Sequence, residues 1–148
     1  MTLNQILLVE DSADDEALTV RALQKSTVAS NVVVVRDGVE AVNYLFNLGE
    51  FETGRPNPLP RVILLDLKLP KLDGLGVLRR IRADERTRLI PVVILSSSDE
   101  LADRVQGYAL GANSYVRKPV DFAQFLFAAQ QLGVYWLQLN EPPVLGAN

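Results

Sequence analysis

Neither cysteine nor histidine occurs anywhere in the 148 residues. Without cysteine there are no disulfides, no thiolate metal ligands and no thiol nucleophile, which suits a reducing compartment. Without histidine the chain lacks the usual near-neutral general base, the common transition-metal ligand and any phosphohistidine of its own. Long apolar runs are missing too. Stretches such as Ile6 to Val9 and Val92 to Leu95 stop far short of the ~20 residues that span a bilayer. No charged-then-apolar leader opens the chain, so a cytoplasmic location and no membrane association are expected. An excess of positive charge is also absent: 15 basic against 18 acidic residues leave a net charge of −3. That balance offers no broad field to hold a nucleic-acid backbone, and direct nucleic-acid binding is not expected.

What remains is an ordinary globular composition, 48% hydrophobic and 22% charged, of a length that supports one well-covered core. Short apolar runs recur at Ile6–Val9, Val32–Val35, Val62–Leu65, Val92–Leu95 and, more weakly, Ser114–Val116. They do not alternate with polar residues, so they predict strands buried on both faces, as in a parallel sheet. Between them lie helical periodicities, with expected core faces Ala13/Ala17/Val20, Val39/Val42/Phe46, Leu75/Leu78/Ile81 and Leu101/Val105/Tyr108. Strand and helix in alternation require right-handed crossovers, giving an α/β, doubly wound five-stranded parallel sheet with five helices. Boundary signals agree: Ser12 as a cap, Asp73-Gly74 opening the third helix, Asp99-Glu100 placing acid at the fourth and Gly111 ending it. Gly49 to Pro60, rich in glycine and proline, reads as an extended surface loop. The domain is expected over 1–139, with 140–148 as a short tail.

In a doubly wound sheet, ligands collect at the carboxyl ends of the strands. Here those ends carry Glu10-Asp11, Asp66, Ser96 and Lys118. Carboxylates converging in one crevice repel unless a cation intervenes, and hard oxygen ligands suit Mg²⁺. The expectation is an acidic Mg²⁺ pocket rimmed by a lysine and a hydroxyl. Each residue alone would be an unremarked turn former or cap; the conjunction at four strand ends carries the reading.

At these motifs the chain resembles the receiver domains of response regulators. The text that carries the resemblance is Ile6-Leu-Leu-Val-Glu-Asp11, Leu64-Leu-Asp-Leu-Lys-Leu-Pro70 with Asp73-Gly74, Pro91-Val-Val-Ile-Leu-Ser96 and Gly111-Ala-Asn-Ser-Tyr-Val-Arg-Lys-Pro119. The resemblance implies strand order 2-1-3-4-5, Asp66 as phosphoacceptor and Mg²⁺ held by Asp11, Asp66, Glu10 through water and the backbone carbonyl of Lys68. It further implies that Lys118 pairs with the phosphoryl oxygens, that Ser96 bonds one of them, that Tyr115 is a switch aromatic and that the Lys118–Pro119 peptide is cis. Lys68 and Ser97 depart from the common pattern and bear on the lifetime of the phosphoryl group. These roles suit phosphoryl transfer, which asks a protein mainly to position groups and neutralise charge.

Output is expected from the last helix, read over Val120 to Leu137. Phe122, Phe125, Leu126, Ala129 and Trp136 should face the sheet, while Ala123, Phe127, Val134 and Tyr135 offer apolar surface elsewhere. A helix apolar on two sides points to an interface, here a homodimer through the last strand and helix. The layout is similar to the small response regulators paired with cyanobacterial phytochromes, which implies a sensor histidine kinase under light control as phosphoryl donor. Two alternatives are weaker. An unphosphorylated docking module would usually have lost some pocket residues, and an aspartyl phosphatase wants a second aspartate where Lys68 stands.

Overall fold

The computed structural model describes residues 5–25 and 31–143. Its strands are β1 (Gln5–Val9), β2 (Asn31–Val35), β3 (Val62–Leu65), β4 (Val92–Ser96) and β5 (Ser114–Arg117). The helices are α1 (Ala13–Gln24), α2 (Gly38–Phe46), α3 (Gly74–Ala83), α4 (Leu101–Ala109) and α5 (Phe122–Val134), the last continued by a π-helical turn over Tyr135–Leu139. All neighbouring strands pair parallel in the order β2-β1-β3-β4-β5, the expected doubly wound arrangement.

Because side chains alternate across a strand, each central strand serves two cores. Leu7, Val9, Ile63, Leu65 and Ile94 pack on one face with Val42, Leu45, Leu78 and Ile81. Ile6, Leu8, Leu64 and Val93 pack on the other with Leu23, Trp136 and Leu137. Burial on both faces therefore holds throughout β1, β3 and β4, but not along the edge strands β2 and β5.

Capping follows the sequence signals. Ser12, Asp73 and Asp121 each accept the backbone N–H three residues on, satisfying donors the helix cannot. Capping by Asp121 moves the start of α5 past Val120, which is 98% exposed. Gly111 ends α4 at φ +103°, a left-handed conformation suited to glycine.

Several helix faces differ from expectation. On α1 the buried residues are Thr19, Ala22 and Leu23, while Ala13 and Ala17 are exposed. Val39 is exposed although Val42 and Phe46 are buried. On α4 the expected core stripe is on the outside: Leu101, Val105 and Tyr108 are each more than half exposed, and Gly107 is the buried residue. A Cβ on Gly107 would lie 2.7 Å from Ile94 Cδ1, so the helix meets the sheet where it is narrowest. On α5, Phe125, Ala129 and Trp136 are buried as expected, but Phe122 is exposed.

The Gly49–Pro60 segment is not wholly extended. Gly49–Phe51 forms a 3₁₀ turn that sets Phe51 edge-on against Tyr44 at 5.2 Å between ring centres. Asn57 then ties the loop to α2, donating to Tyr44 O at 3.0 Å. At the opposite end of the sheet from the polar strand ends, Arg82 donates to Gly111 O at 2.9 Å, Ile90 O at 2.8 Å and Asn113 Oδ1 at 2.9 Å. One guanidinium thus joins α3, the entry to β4 and the α4–β5 turn.

Candidate functional site

The three central strands deliver their functional residues by continuing the ladder one residue beyond the apolar run. Glu10 N–H donates to Val35 O at 3.0 Å, and Asp66 N–H donates to Val9 O at 3.1 Å. On the edge, Lys118 N–H donates to Ser96 O at 2.7 Å. The backbones of Glu10, Asp66 and Lys118 are therefore fixed by neighbouring strands, and their side chains converge above the carboxyl edge of the sheet.

Lys118 Nζ sits at the centre. It donates to Glu10 Oε2 at 2.6 Å, Asp66 Oδ2 at 2.9 Å and Asp15 Oδ2 at 2.8 Å. Glu10, Asp66 and Lys118 are all buried, so these are charge-assisted bonds in a low-dielectric setting. Asp11 is exposed at the mouth, and Glu10, Asp11 and Asp66 each bring an oxygen within 4.8 Å of the others'. Three carboxylates at that spacing form a hard oxygen donor set for a divalent cation. Asp66 Oδ1 also accepts Lys68 N–H at 3.3 Å. An open cavity of about 360 Å³ lies outside, lined by Asp11, Lys68, Pro70, Asp73, Leu75 and Asp103 among others.

Burial dominates the ionisation of Glu10, raising its pKa to about 7 against the pull of Lys118. Burial acts on Lys118 in the opposite sense, but bonds to Asp15 and Glu10 and the charge of Asp66 outweigh it, leaving the ammonium more basic than an ordinary lysine.

Gly38 and Gly74 shape the loop after β3. A Cβ on Gly74 would fall 2.2 Å from Asp66 O, and one on Gly38 would fall 1.8 Å from Leu72 O. No side chain fits at either position without moving backbone beside the site.

Ser96 is buried at the end of β4, where its Oγ accepts Ser98 N–H at 3.2 Å. Tyr115 does not enter the carboxylate cluster. Its hydroxyl donates to Ser98 O at 3.0 Å, and Ser98 Oγ donates to Asp103 Oδ2 at 2.6 Å. Ser96 and Tyr115 thus meet at Ser98, in the loop between β4 and α4.

The expected site residues are placed at this edge: Glu10, Asp11, Asp66 and Lys118 in one cluster, Lys68 lining the cavity beside it, and Ser96 and Tyr115 in the adjoining network. Two findings differ. The Lys118–Pro119 peptide is trans, as are all described peptide bonds; trans is the preferred isomer before proline, and Lys118 reaches the pocket from it. Asp15 was not anticipated, because it lies inside α1 and not at a strand end. Its only sequence signal is an acid one helical turn beyond Asp11.

A parallel 2-1-3-4-5 sheet with an acidic cluster and a buried lysine at its carboxyl edge defines a phosphoacceptor signalling domain. Residues 6–130 match the response regulator receiver domain, and the chain belongs to that family. It is 38% identical over 133 residues to the response regulator Rcp1 of Synechocystis, covering 90% of this chain and 88% of Rcp1. The Mn²⁺-bound structure of Rcp1 superposes with a TM-score of 0.89 at 36% identity, covering 95% of this chain and 99% of that one. The phosphorylated cyanobacterial phytochrome response regulator RcpA is equally similar in fold, with TM-score 0.89, 39% identity and coverage of 97% and 100%. The bacteriophytochrome response regulator AtBRR is 52% identical, with TM-score 0.74 and coverage of 95% and 100%.

Proposed function

We propose that this protein is a single-domain response regulator that accepts a phosphoryl group on Asp66 from a sensor histidine kinase in a Mg²⁺-dependent reaction. The observation that carries the reading is the placement of Asp66 within reach of both Lys118 and the Glu10–Asp11 pair. The cation would be held by Asp11, Asp66, Glu10 through water and the backbone carbonyl of Lys68. It would supply charge neutralisation at the phosphoryl oxygens. In the transfer, the P–N bond of the donor phosphohistidine breaks as an Asp66 carboxylate oxygen bonds to phosphorus, and the imidazole nitrogen keeps the electron pair. Lys118 balances charge at the phosphoryl oxygens, while Ser96 donates its hydroxyl to one of them. Drawing Ser96 inward pulls on Ser98 N, which loosens the Tyr115–Ser98 bond and frees Tyr115 to move.

Acetyl phosphate with Mg²⁺ is expected to add one phosphoryl group per chain, seen by intact mass, and Asp66→Asn to abolish the addition. An unmodified wild-type chain would overturn the reading.

The changed surface is read through the last strand and helix, as a homodimer. Phe122, Phe127, Tyr135 and Leu139 are about half exposed or more on or just beyond α5, a set of apolar side chains that a second copy would cover. Likeness to RcpA and AtBRR supports a phytochrome-type kinase as donor; a cytoplasmic setting, with neither nucleic acid nor membrane as a direct partner, rests on the charge balance and the short apolar runs. No described helix is long and apolar enough to cross a membrane. The domain over 1–139 ends in a tail at 140–148, of which 144–148 lie outside the described residues.

Glu10 makes cation binding depend on pH. A cation must displace the proton that burial keeps on Glu10 up to about pH 7, so Mg²⁺ affinity is expected to be level above that pH. Well below it, affinity should weaken about tenfold per pH unit, one proton being released per ion bound. Titration by isothermal calorimetry at pH 5.5 and 8 checks this; equal affinities would remove Glu10 from the cation's surroundings.

A further inference from the structure

Asp15 looks like an ordinary acid in the first turn of a helix, where the dipole favours it. Its carboxylate nevertheless lies 2.8 Å from Lys118 Nζ. An ammonium has three protons to donate, and here Glu10, Asp66 and Asp15 receive them.

The three acceptors are not equivalent. Glu10 and Asp66 belong to the carboxylate group that can hold a cation, and Asp15 does not. With a divalent cation held there, Glu10 and Asp66 would turn toward it and the Lys118 ammonium would be repelled. Asp15 is then the anion that Lys118 keeps. Its position is set by the helix: its N–H donates to Ser12 Oγ at 3.3 Å, and its carbonyl accepts the hydroxyl of the buried Thr19 at 2.8 Å.

We propose that Asp15 is a positioning residue for phosphoryl transfer, retaining the Lys118 ammonium in its place above the sheet edge after Glu10 and Asp66 have turned to the cation. This rests on the reading of Asp66 as phosphoacceptor. Asp15 touches neither the phosphoryl group nor the cation and acts through Lys118 alone.

The test uses Asp15→Asn and Asp15→Glu in the full chain, each with and without Lys118→Met. Phosphoryl uptake from phosphoramidate at saturating Mg²⁺ is followed by intact mass, Mn²⁺ affinity by paramagnetic resonance and melting temperature in chelator. Asp15→Asn is expected to slow uptake about fivefold to tenfold, the cost of a poorly aimed group, and Asp15→Glu to recover part of the loss. Mn²⁺ affinity should stay within about twofold, because no ligand is removed. In the Lys118→Met background Asp15→Asn should not slow uptake further. In chelator it should lower the melting temperature when Lys118 is present and raise it when Lys118 is replaced, since an ion pair is lost in one case and a repulsion in the other.

Unchanged uptake in Asp15→Asn overturns the proposal, as does an equal loss in both backgrounds. A fall in Mn²⁺ affinity that parallels the fall in uptake would make Asp15 a cation ligand instead. If the wild-type chain takes up no phosphoryl group, the phosphoacceptor reading fails. The melting temperatures in chelator would still decide whether Asp15 acts through Lys118.

Discussion

Lys118→Met is expected to destabilise the metal-free protein while strengthening its hold on Mg²⁺. Lys118 donates to three carboxylates, and two of these, Glu10 and Asp66, are buried. Removing one partner of a buried ion pair typically costs about 3–5 kcal/mol, because the remaining charge has neither water nor a counter-ion. The protein has an escape: Glu10 can hold a proton. Its pKa is already raised by burial to about 7, and loss of the lysine raises it further. A raised folded pKa means that the folded state binds the proton more tightly than the unfolded chain, so its contribution to stability is present at low pH and lost as pH rises. Urea unfolding in chelator should therefore show a smaller deficit for Lys118→Met at pH 6 than at pH 8. At a pH high enough to ionise Glu10, Mg²⁺ faces one competing cation fewer, and its affinity should rise about tenfold, equivalent to about 1.4 kcal/mol. A variant that loses stability equally at both pH values would show that Glu10 does not take up the charge.

Gly74→Ala is the second large effect. The added methyl would lie 2.2 Å from Asp66 O and 2.6 Å from Leu67 Cα, and both are backbone atoms with no rotamer to change. Overpacking commonly costs about 1–3 kcal/mol where side chains can shift; against backbone the loss should be at the top of that range or beyond. Asp66 also moves with its own carbonyl. Phosphoryl uptake is therefore expected to fall further than thermal unfolding midpoints alone would suggest, when measured well below the variant's melting temperature. A variant that melts early but accepts phosphate at the wild-type rate would show that the strain is relieved in α3 and not in β3.

The strands were legible because parallel strands buried on both faces leave unbroken apolar runs, and Val62–Leu65 is found with its expected bounds. Strand order came with the receiver resemblance, and once strands and crossovers are set, Glu10, Asp11, Asp66, Ser96 and Lys118 have to share one edge. Helix faces were less legible. Periodicity shows that a stripe exists but not what covers it, so Leu101, Val105 and Tyr108 read as core although Gly107 is what meets Ile94. Alanine misled on α1 for a related reason: it suits either side of a helix, whereas the buried Thr19 satisfies its hydroxyl within α1 at Asp15 O. Asp15 was not legible because it reaches back to the strand ends from inside the following helix, where an acid in the first turn is ordinary. Gly74 was legible as a helix opener, but its closeness to Asp66 O depends on a loop path that no local pattern encodes.

The burial pattern of the sheet sets where the molecule is stiff. β1, β3 and β4 are covered along their whole length, while β5 is only partly covered and ends exposed at Arg117. Amide protons in the central strands should exchange only when the whole domain opens, and those of β5 by local fluctuation. Glu10 and Asp66 thus follow strands covered on both faces, whereas Tyr115 stands on an edge strand that is only partly covered. Under the proposed phosphorylation of Asp66, the partly covered edge at Tyr115 is expected to yield at less cost than the covered backbone that carries Glu10 and Asp66.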